Sequence, residues 1–233
     1  MAAKKGYFIT FEGVDGSGKS TQAKRLATRL KAAGHQVVVT REPGGSPGAE
    51  LIREIVLSGR AENLGSNMEA LLFAAARADH VDHLIKPALA AGKIVISDRF
   101  YDSTRAYQAA GDAADGQFVQ ALAEAAAAGS IPNTTVILTL PVEAAEQRMG
   151  ARQQGKDRFE ADQLRAFEQR QNAFLKIAEE EPDRCLVVDG SLGEGEVELA
   201  VWEAIKGRLP RIRKRSATGR RVLKNIKPAR KTK

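Results

Sequence analysis

Gly13-Val14-Asp15-Gly16-Ser17-Gly18-Lys19-Ser20 places two glycines five positions apart and follows the second with a lysine and a hydroxyl. The spacing fits G-x-x-x-x-G-K-[ST], a phosphate-binding loop. Glycines let the backbone curl until successive N–H groups point inward at an anion, and a following helix adds its positive N-terminal end. In that chemistry Lys19 reaches the outer phosphates of a nucleoside triphosphate, Ser20 ligates Mg2+, and Thr21 extends the contacts into the helix. A glycine-rich turn can match by chance. Here an apolar run, Tyr7-Phe8-Ile9-Thr10-Phe11, precedes the loop and a helical pattern from 19 to about 33 follows, which is the context the motif requires.

A second acid belongs beside such a loop. Asp98 ends the apolar run Ile94-Val95-Ile96-Ser97, where a carboxylate can hold Mg2+ through water, although a strand-ending Asp also serves as a plain turn former. Arginines near strand ends, Arg41, Arg77 and Arg99, add planar forks suited to a second phosphate-bearing ligand, which a water-activating hydrolase does not need. A signalling GTPase is expected to carry N-K-x-D and a separate D-x-x-G. The chain has no N-K-x-D, and its D-x-x-G lies inside the loop at Asp15 to Gly18. Together these residues point to phosphoryl transfer between two nucleotides.

The elements that must position them alternate. Beyond the first strand and helix, short apolar runs at 37–40, 94–97, 135–140 and 185–188 read as strands. Helical patterns lie between them at about 49–57, 66–91, 102–110, 116–128, 142 onward and 160–181, and a last one at 194–207. Ser66 with Glu69 three residues later reads as a capping box, and 41–48 is too rich in Pro and Gly for regular structure. Five nearly all-apolar strands alternating with helices predict a parallel sheet covered on both faces, an α/β P-loop fold with ligands at the carboxyl ends of the strands.

At 233 residues and 43% apolar content the chain can bury a full core. Its one cysteine, Cys185, excludes an internal disulfide and sits in a strand pattern. No apolar run approaches the roughly 18 residues of a membrane span, and Met1 to Lys5 leads into a strand rather than a signal segment, so a soluble, cytoplasmic protein is expected. The net charge of +7 is uneven: 12 of the 36 basic residues fall from Arg208 onward with no acid among them, leaving 24 against 29 acids in 1–207, a net of −5. His80 and His83 are three apart on one helix, but no third metal ligand accompanies them, so structural roles are expected.

These residues resemble the thymidylate kinase family of P-loop enzymes. The resemblance rests on Phe11-Glu12-Gly13 into the loop, Arg41-Glu42-Pro43-Gly44-Gly45, Leu72-Phe73-Ala74-Ala75-Ala76-Arg77-Ala78-Asp79-His80, and Asp98-Arg99-Phe100 continuing to Ser103-Thr104-Arg105-Ala106-Tyr107-Gln108. It spans about 7–207 and implies transfer of the γ-phosphoryl of ATP to deoxythymidine monophosphate with Mg2+, in a homodimer. It implies that Phe73 stacks on thymine, that Arg77 one turn later hydrogen-bonds the base, that Ser103 and Thr104 complete that recognition, and that Gln108 is a further deoxythymidylate contact. Tyr107 would fill the space of a 2′-hydroxyl, Asp15 would accept from the 3′-hydroxyl, and Arg41 and Arg99 would hold the monophosphate. Asp189-Gly190-Ser191 resembles the loop that holds adenine. The segment 148–158 resembles the family's lid; Gly16 stands where one branch of the family places a P-loop arginine, so Arg152 and Arg158 would neutralise the transferred group, Lys156 would add charge nearby, and Arg148 would lie near adenine. A related nucleoside monophosphate kinase of other base preference is the nearest alternative, and a nucleic-acid-binding protein with a vestigial P-loop a more distant one.

The resemblance ends where the basic segment begins. With Pro210, Gly219 and Pro228 among its residues and no aromatic side chain, 208–233 reads as a flexible tail: a solvated extension with no specific role, or a tether to nucleic acid or another anionic surface without sequence preference.

Overall fold

In the computed structural model, residues 6–59, 65–109, 116–144 and 158–210 are described, without the side chains of 108–109 and 158–163. Five strands form one all-parallel sheet: β1 (Tyr7–Gly13), β2 (Val37–Arg41), β3 (Ile94–Asp98), β4 (Thr134–Thr139) and β5 (Cys185–Asp189), in the order β2-β3-β1-β4-β5. The expected α/β architecture is therefore observed, with β1 at the centre. Because parallel neighbours are joined by crossovers, both faces must be covered, and the central strands are accordingly buried along almost their whole length.

The helices are α1 (Lys19–Ala32), α2 (Pro47–Leu57), α3 (Ser66–His80), α4 (Lys86–Ala90), α5 (Tyr101–Ala109), α6 (Gly116–Ala127), α7 (Arg158–Glu180) and α8 (Glu194–Ile205). On one face α1 and α8 pack Leu26, Leu30, Val197, Val201 and Ile205 against Ile9, Phe11, Ile96 and Leu138. On the other, Val81, Ile85 and Phe100 cover Phe8 and Val95, with Phe8 and Phe100 edge to face at 5.0 Å. Cys185 is buried in a third cluster with Phe174 and Ile177 below α5. Burial pushes its thiol up to about 12.

Three local expectations are corrected. Ser66 does not cap a helix: Gly65, at φ 83°, takes the N-cap position and no side chain caps the turn, so Ser66 already lies in the first turn. A capping box needs its hydroxyl residue at N-cap with extended backbone. The long helix predicted for 66–91 is interrupted by a π-helical turn, Val81–Ile85, between α3 and α4. Finally, α2 begins at Pro47, inside the segment expected to be irregular, because proline's fixed φ suits a first helical turn.

Sheet register levels the strand ends that matter. Phe11 of β1 pairs with Asp98 of β3, and Asp98 pairs with Arg41 of β2. The ladder runs on past the last strand residues, with Arg99 N donating to Phe11 O (2.9 Å) and Glu42 N to Asp98 O (3.0 Å). One edge of the sheet thus presents the loops after β1, β2 and β3 side by side.

Candidate active site

The loop after β1 turns sharply because its glycine permits it. Gly13 sits at φ 129°, and a Cβ there would lie 2.2 Å from Leu138 O of β4. Past it, Val14 is buried and Gly18, at φ 94°, opens α1. Lys19 is buried and donates to Val14 O at 2.7 Å, so its ammonium lies across the loop. Burial, with the Arg99 charge beside it, pulls this lysine down to about 8, against the acids Asp15, Asp98 and Glu12. An anion entering the loop would favour its charged form.

A cavity of about 520 Å3 opens over this loop, lined by Asp15 to Gln22, by Asp98 and Arg99, and by Gly190, Leu192, Glu194 and Val197 from the turn after β5. Gly190 N donates to Thr139 O (2.8 Å), and Asp189 accepts from Ser191 N (2.8 Å), which fixes that turn and holds the Asp189 carboxyl below its ordinary range. Gln22 Nε2 reaches Glu194 O at 3.0 Å, tying α1 to the start of α8.

Ser20 Oγ hydrogen-bonds Asp98 Oδ2, while Asp98 Oδ1 is buried with no partner among the described residues. An unpartnered carboxylate oxygen beside a serine hydroxyl, at the mouth of a phosphate-type loop, is an oxygen donor set suited to a hard divalent cation carrying water. The two residues expected to be metal-associated are therefore brought together.

Next to them, Arg99 follows β3 with a left-handed backbone (φ 69°), an uncommon conformation for a non-glycine residue. Its guanidinium donates to Asp15 Oδ1 (2.5 Å), Tyr107 OH (3.1 Å) and Ser103 Oγ (3.1 Å), and Tyr107 OH donates to Asp15 Oδ2 (3.0 Å). Burial would raise the Asp15 carboxyl, but the charges of Arg99 and Lys19 and the Tyr107 hydrogen bond overcome it and hold the group low. Burial also raises the Tyr107 phenol, so it stays a donor at neutral pH. Arg170 of α7 stacks over the Tyr107 ring at 4.7 Å. Asp15, Arg99, Ser103 and Tyr107 form one cluster, in which Ser103 also donates to Glu12 (2.5 Å).

Glu12 is a site residue that the loop motif does not include. It is fully buried at the end of β1 and accepts from Phe100 N at 2.7 Å as well as from Ser103. Burial, reinforced by the Asp102 charge, pushes its carboxyl up to about 8 against those hydrogen bonds and the Arg99 charge. It pins the turn that carries Arg99. An acid closing an apolar strand pattern was the signal available for it.

Arg77 does not lie near a strand end as expected but within α3, 3% exposed. Its Nε donates to Glu42 Oε2 (2.8 Å) and its Nη2 to Thr104 Oγ1 (2.9 Å). Phe73, half-buried, lies one turn away on the same helix. Arg41 is half-exposed and donates to both oxygens of Glu50 at 3.1 Å. His80 is buried between Thr40 and Glu42, whereas His83 is exposed and pairs with Asp79 at 2.9 Å. Among the described residues no group of three or more His, Cys, Asp or Glu is placed to hold a metal ion. Arg148, Arg152 and Lys156 lie outside the described residues, as do the side chains of Gln108 and Arg158.

A cavity over a phosphate-type loop, an acid and hydroxyl fit for a cation, and an adjoining arginine cluster together can hold two phosphate-bearing ligands end to end. Comparison with known proteins agrees. The family model described as thymidylate kinase matches residues 11–201. A thymidylate kinase from Caulobacter vibrioides is 50% identical over 205 residues, covering 88% of this chain and 98% of its own. One from a Bradyrhizobium species is 47% identical over 207 residues, covering 88% and 92%. The crystal structure of thymidylate kinase from Ehrlichia chaffeensis superposes with a TM-score of 0.71 at 33% identity, covering 87% of this chain and 99% of that one. The chain belongs to the thymidylate kinase family.

Proposed function

We propose that the chain transfers the γ-phosphoryl of ATP to deoxythymidine monophosphate, giving ADP and the diphosphate on the route to the deoxythymidine triphosphate. The observation that carries this reading is the sharing of Asp15: it belongs to the phosphate-type loop, yet it is held by Arg99 and Tyr107 of the adjoining cluster. A triphosphate in the loop and a monophosphate at the cluster would meet there.

In this reading Gly13, Val14, Asp15, Gly16, Ser17, Gly18, Lys19, Ser20 and Thr21 bind ATP, with adenine at the 189–191 turn. Ser20 and Asp98 would hold Mg2+, supported by the unpartnered Asp98 Oδ1. The ion, when bound, neutralises charge on the transferring phosphates. Lys19 and Arg99 place positive charge on either side of the transfer, joined by Arg152 and Arg158 of the lid, with Arg148 near adenine. Arg41 and Arg99 hold the acceptor phosphate; Asp15 and Tyr107 hold the sugar; Phe73, Arg77, Ser103 and Thr104 hold the base; Gln108 is a further contact to the same nucleotide. A phosphate monoester has a second pKa of about 6 and is already a nucleophilic dianion at neutral pH, so no general base is needed. Positioning and charge lower the barrier.

The kinase domain occupies 1–207, with the lid at about 148–158 and a basic tail at 208–233. A homodimer is supported by apolar side chains left exposed on α2 and α3, including Leu51, Leu57 and Met68. A cytoplasmic location is supported by the absence, among the described residues, of any helix long and apolar enough to cross a membrane. The tail's twelve uncompensated cations support weak, salt-sensitive contact with nucleic acid or another polyanion.

The test is ADP formation from ATP and Mg2+ with each nucleoside monophosphate, for the full chain and for a chain ending at residue 207. Strong, equal turnover of deoxythymidylate by both supports the reading and leaves the tail outside the chemistry. Turnover of another monophosphate in preference, or of none, overturns it.

A further inference from the structure

Behind Arg77 lies a chain of buried polar side chains that runs from the end of β2 to Arg77 and Thr104, two residues proposed to hold the base. Thr40 Oγ1 meets His80 Nε2 at 2.7 Å, His80 Nδ1 meets Glu42 Oε1 at 3.0 Å, and Glu42 Oε2 accepts from Arg77 Nε at 2.8 Å. Arg77 Nη2 continues to Thr104 Oγ1 at 2.9 Å. Thr40, Glu42, Arg77, His80 and Thr104 are each less than a tenth exposed, and His80 is wholly buried. They come from four places: the end of β2, the loop after it, α3 and α5.

The donors run in one direction. Glu42 is the acid, so Nδ1–H of His80 donates to it, which leaves Nε2 to accept from the Thr40 hydroxyl. Gly45, at φ 92°, closes over this end so tightly that a Cβ would lie 2.3 Å from Thr40 Oγ1 and 2.6 Å from His80 Nε2. Gly45 therefore packs directly against both side chains. At the other end the Arg77 guanidinium has Glu42 at its Nε edge, Thr104 on Nη2 and the Phe100 ring 5.3 Å from its centre, while Nη1 is buried with no partner among the described residues. A buried guanidinium with one donor group unmet is uncommon, because the unmet group carries its full desolvation penalty.

We propose that Glu42 and His80 are positioning residues that clamp Arg77 from behind and leave Nη1 as its one unmet donor, which an acceptor on the base would satisfy. This rests on the reading of Arg77 as a base contact. Thymine offers a carbonyl oxygen at C4 where cytosine offers an amino donor. A fixed donor discriminates between them, whereas a guanidinium free to swing can turn another edge to either base. Glu42→Gln keeps the shape but turns an N–H toward Arg77 or His80, so the clamp loses its charge and one of its two hydrogen bonds.

The experiment measures kcat and KM for deoxythymidylate, deoxycytidylate and ATP in the wild type and in Glu42→Gln, His80→Phe, His80→Gln and Arg77→Met. The expected result for Glu42→Gln and His80→Phe is a rise of roughly tenfold in KM for deoxythymidylate and a similar fall in its preference over deoxycytidylate, with KM for ATP within about twofold. His80→Gln, whose amide can still donate to Glu42, should recover most of the preference. A loss of thermal stability with the preference unchanged would overturn the clamp and leave a structural network. So would equal behaviour of His80→Gln and His80→Phe, a comparison that decides the matter even if Glu42→Gln does not fold. If Arg77→Met leaves KM for deoxythymidylate unchanged, the base-contact reading itself fails, an outcome distinct from failure of the clamp alone.

Discussion

Glu12 shows how a residue's environment converts into a pH dependence. Its folded carboxyl is raised to about 8, chiefly by burial, from the ordinary 4.5. The folded state therefore keeps a proton that the unfolded chain releases. Stability from this group is fully present below about 4.5, declines as pH rises, and is gone above about 8, with a slope of at most about 1.4 kcal/mol per pH unit. Glu12→Gln, which imitates the protonated form, should flatten that decline; urea unfolding of both proteins from pH 5 to 9 reads it. Lys19 acts in the opposite sense. Its folded value near 8 lies below the ordinary 10.5, so its contribution is lost as pH falls from 10.5 through 8. Triphosphate binding should then take up protons near pH 8, visible as a buffer-dependent binding enthalpy that Lys19→Met removes.

At the scale of elements, the alternation of apolar runs with helical patterns was legible, because a strand buried on both faces has to be apolar throughout and Ile94 to Ser97 or Thr135 to Leu140 can be little else. The loop motif and the acid at Asp98 were equally plain, since spacing alone defines them. What spacing could not reveal is instructive. The π turn at Val81–Ile85 changes the hydrogen-bond step, which leaves no mark on the sequence between His80 and Ala90. Glu42 and His80 are 38 positions apart, and only folding shows that they meet. The loop after β1 yields a direct prediction. Gly13→Ala would force a Cβ to 2.2 Å from Leu138 O at φ 129°, which requires the loop entrance to move. Strain of about 1–3 kcal/mol is expected. Thermal unfolding should show a lowered Tm and little further shift on adding ATP.

Across the whole molecule, one buried acid ties together elements remote from the chemistry. Asp102, at the start of α5 and wholly buried, takes hydrogen bonds from Arg184 at 2.7 and 2.9 Å, from Arg105 at 3.0 Å and from Thr135 at 3.3 Å. Burial opposes the Arg184 charge, yet the hydrogen bonds it donates to Asp102 and Glu181 outweigh that and raise its pKa. Asp102→Ala would leave two guanidiniums facing an empty place, and a loss of about 3–5 kcal/mol in urea unfolding is expected. Because Asp102 also pushes Glu12 upward, Asp102→Asn should shift the pH-dependent decline of stability toward lower pH, linking the edge of the sheet to the turn that bears Arg99. Cys185 stands beside the same arginine and is the chain's one thiol. A disulfide reagent therefore has a single target, closed off in the folded protein and slow to ionise. The rate at which the thiol is labelled is a built-in clock for the opening of β5, readable without attaching any probe, and its slowing by added nucleotide would report how firmly an occupied site holds the far edge of the sheet shut.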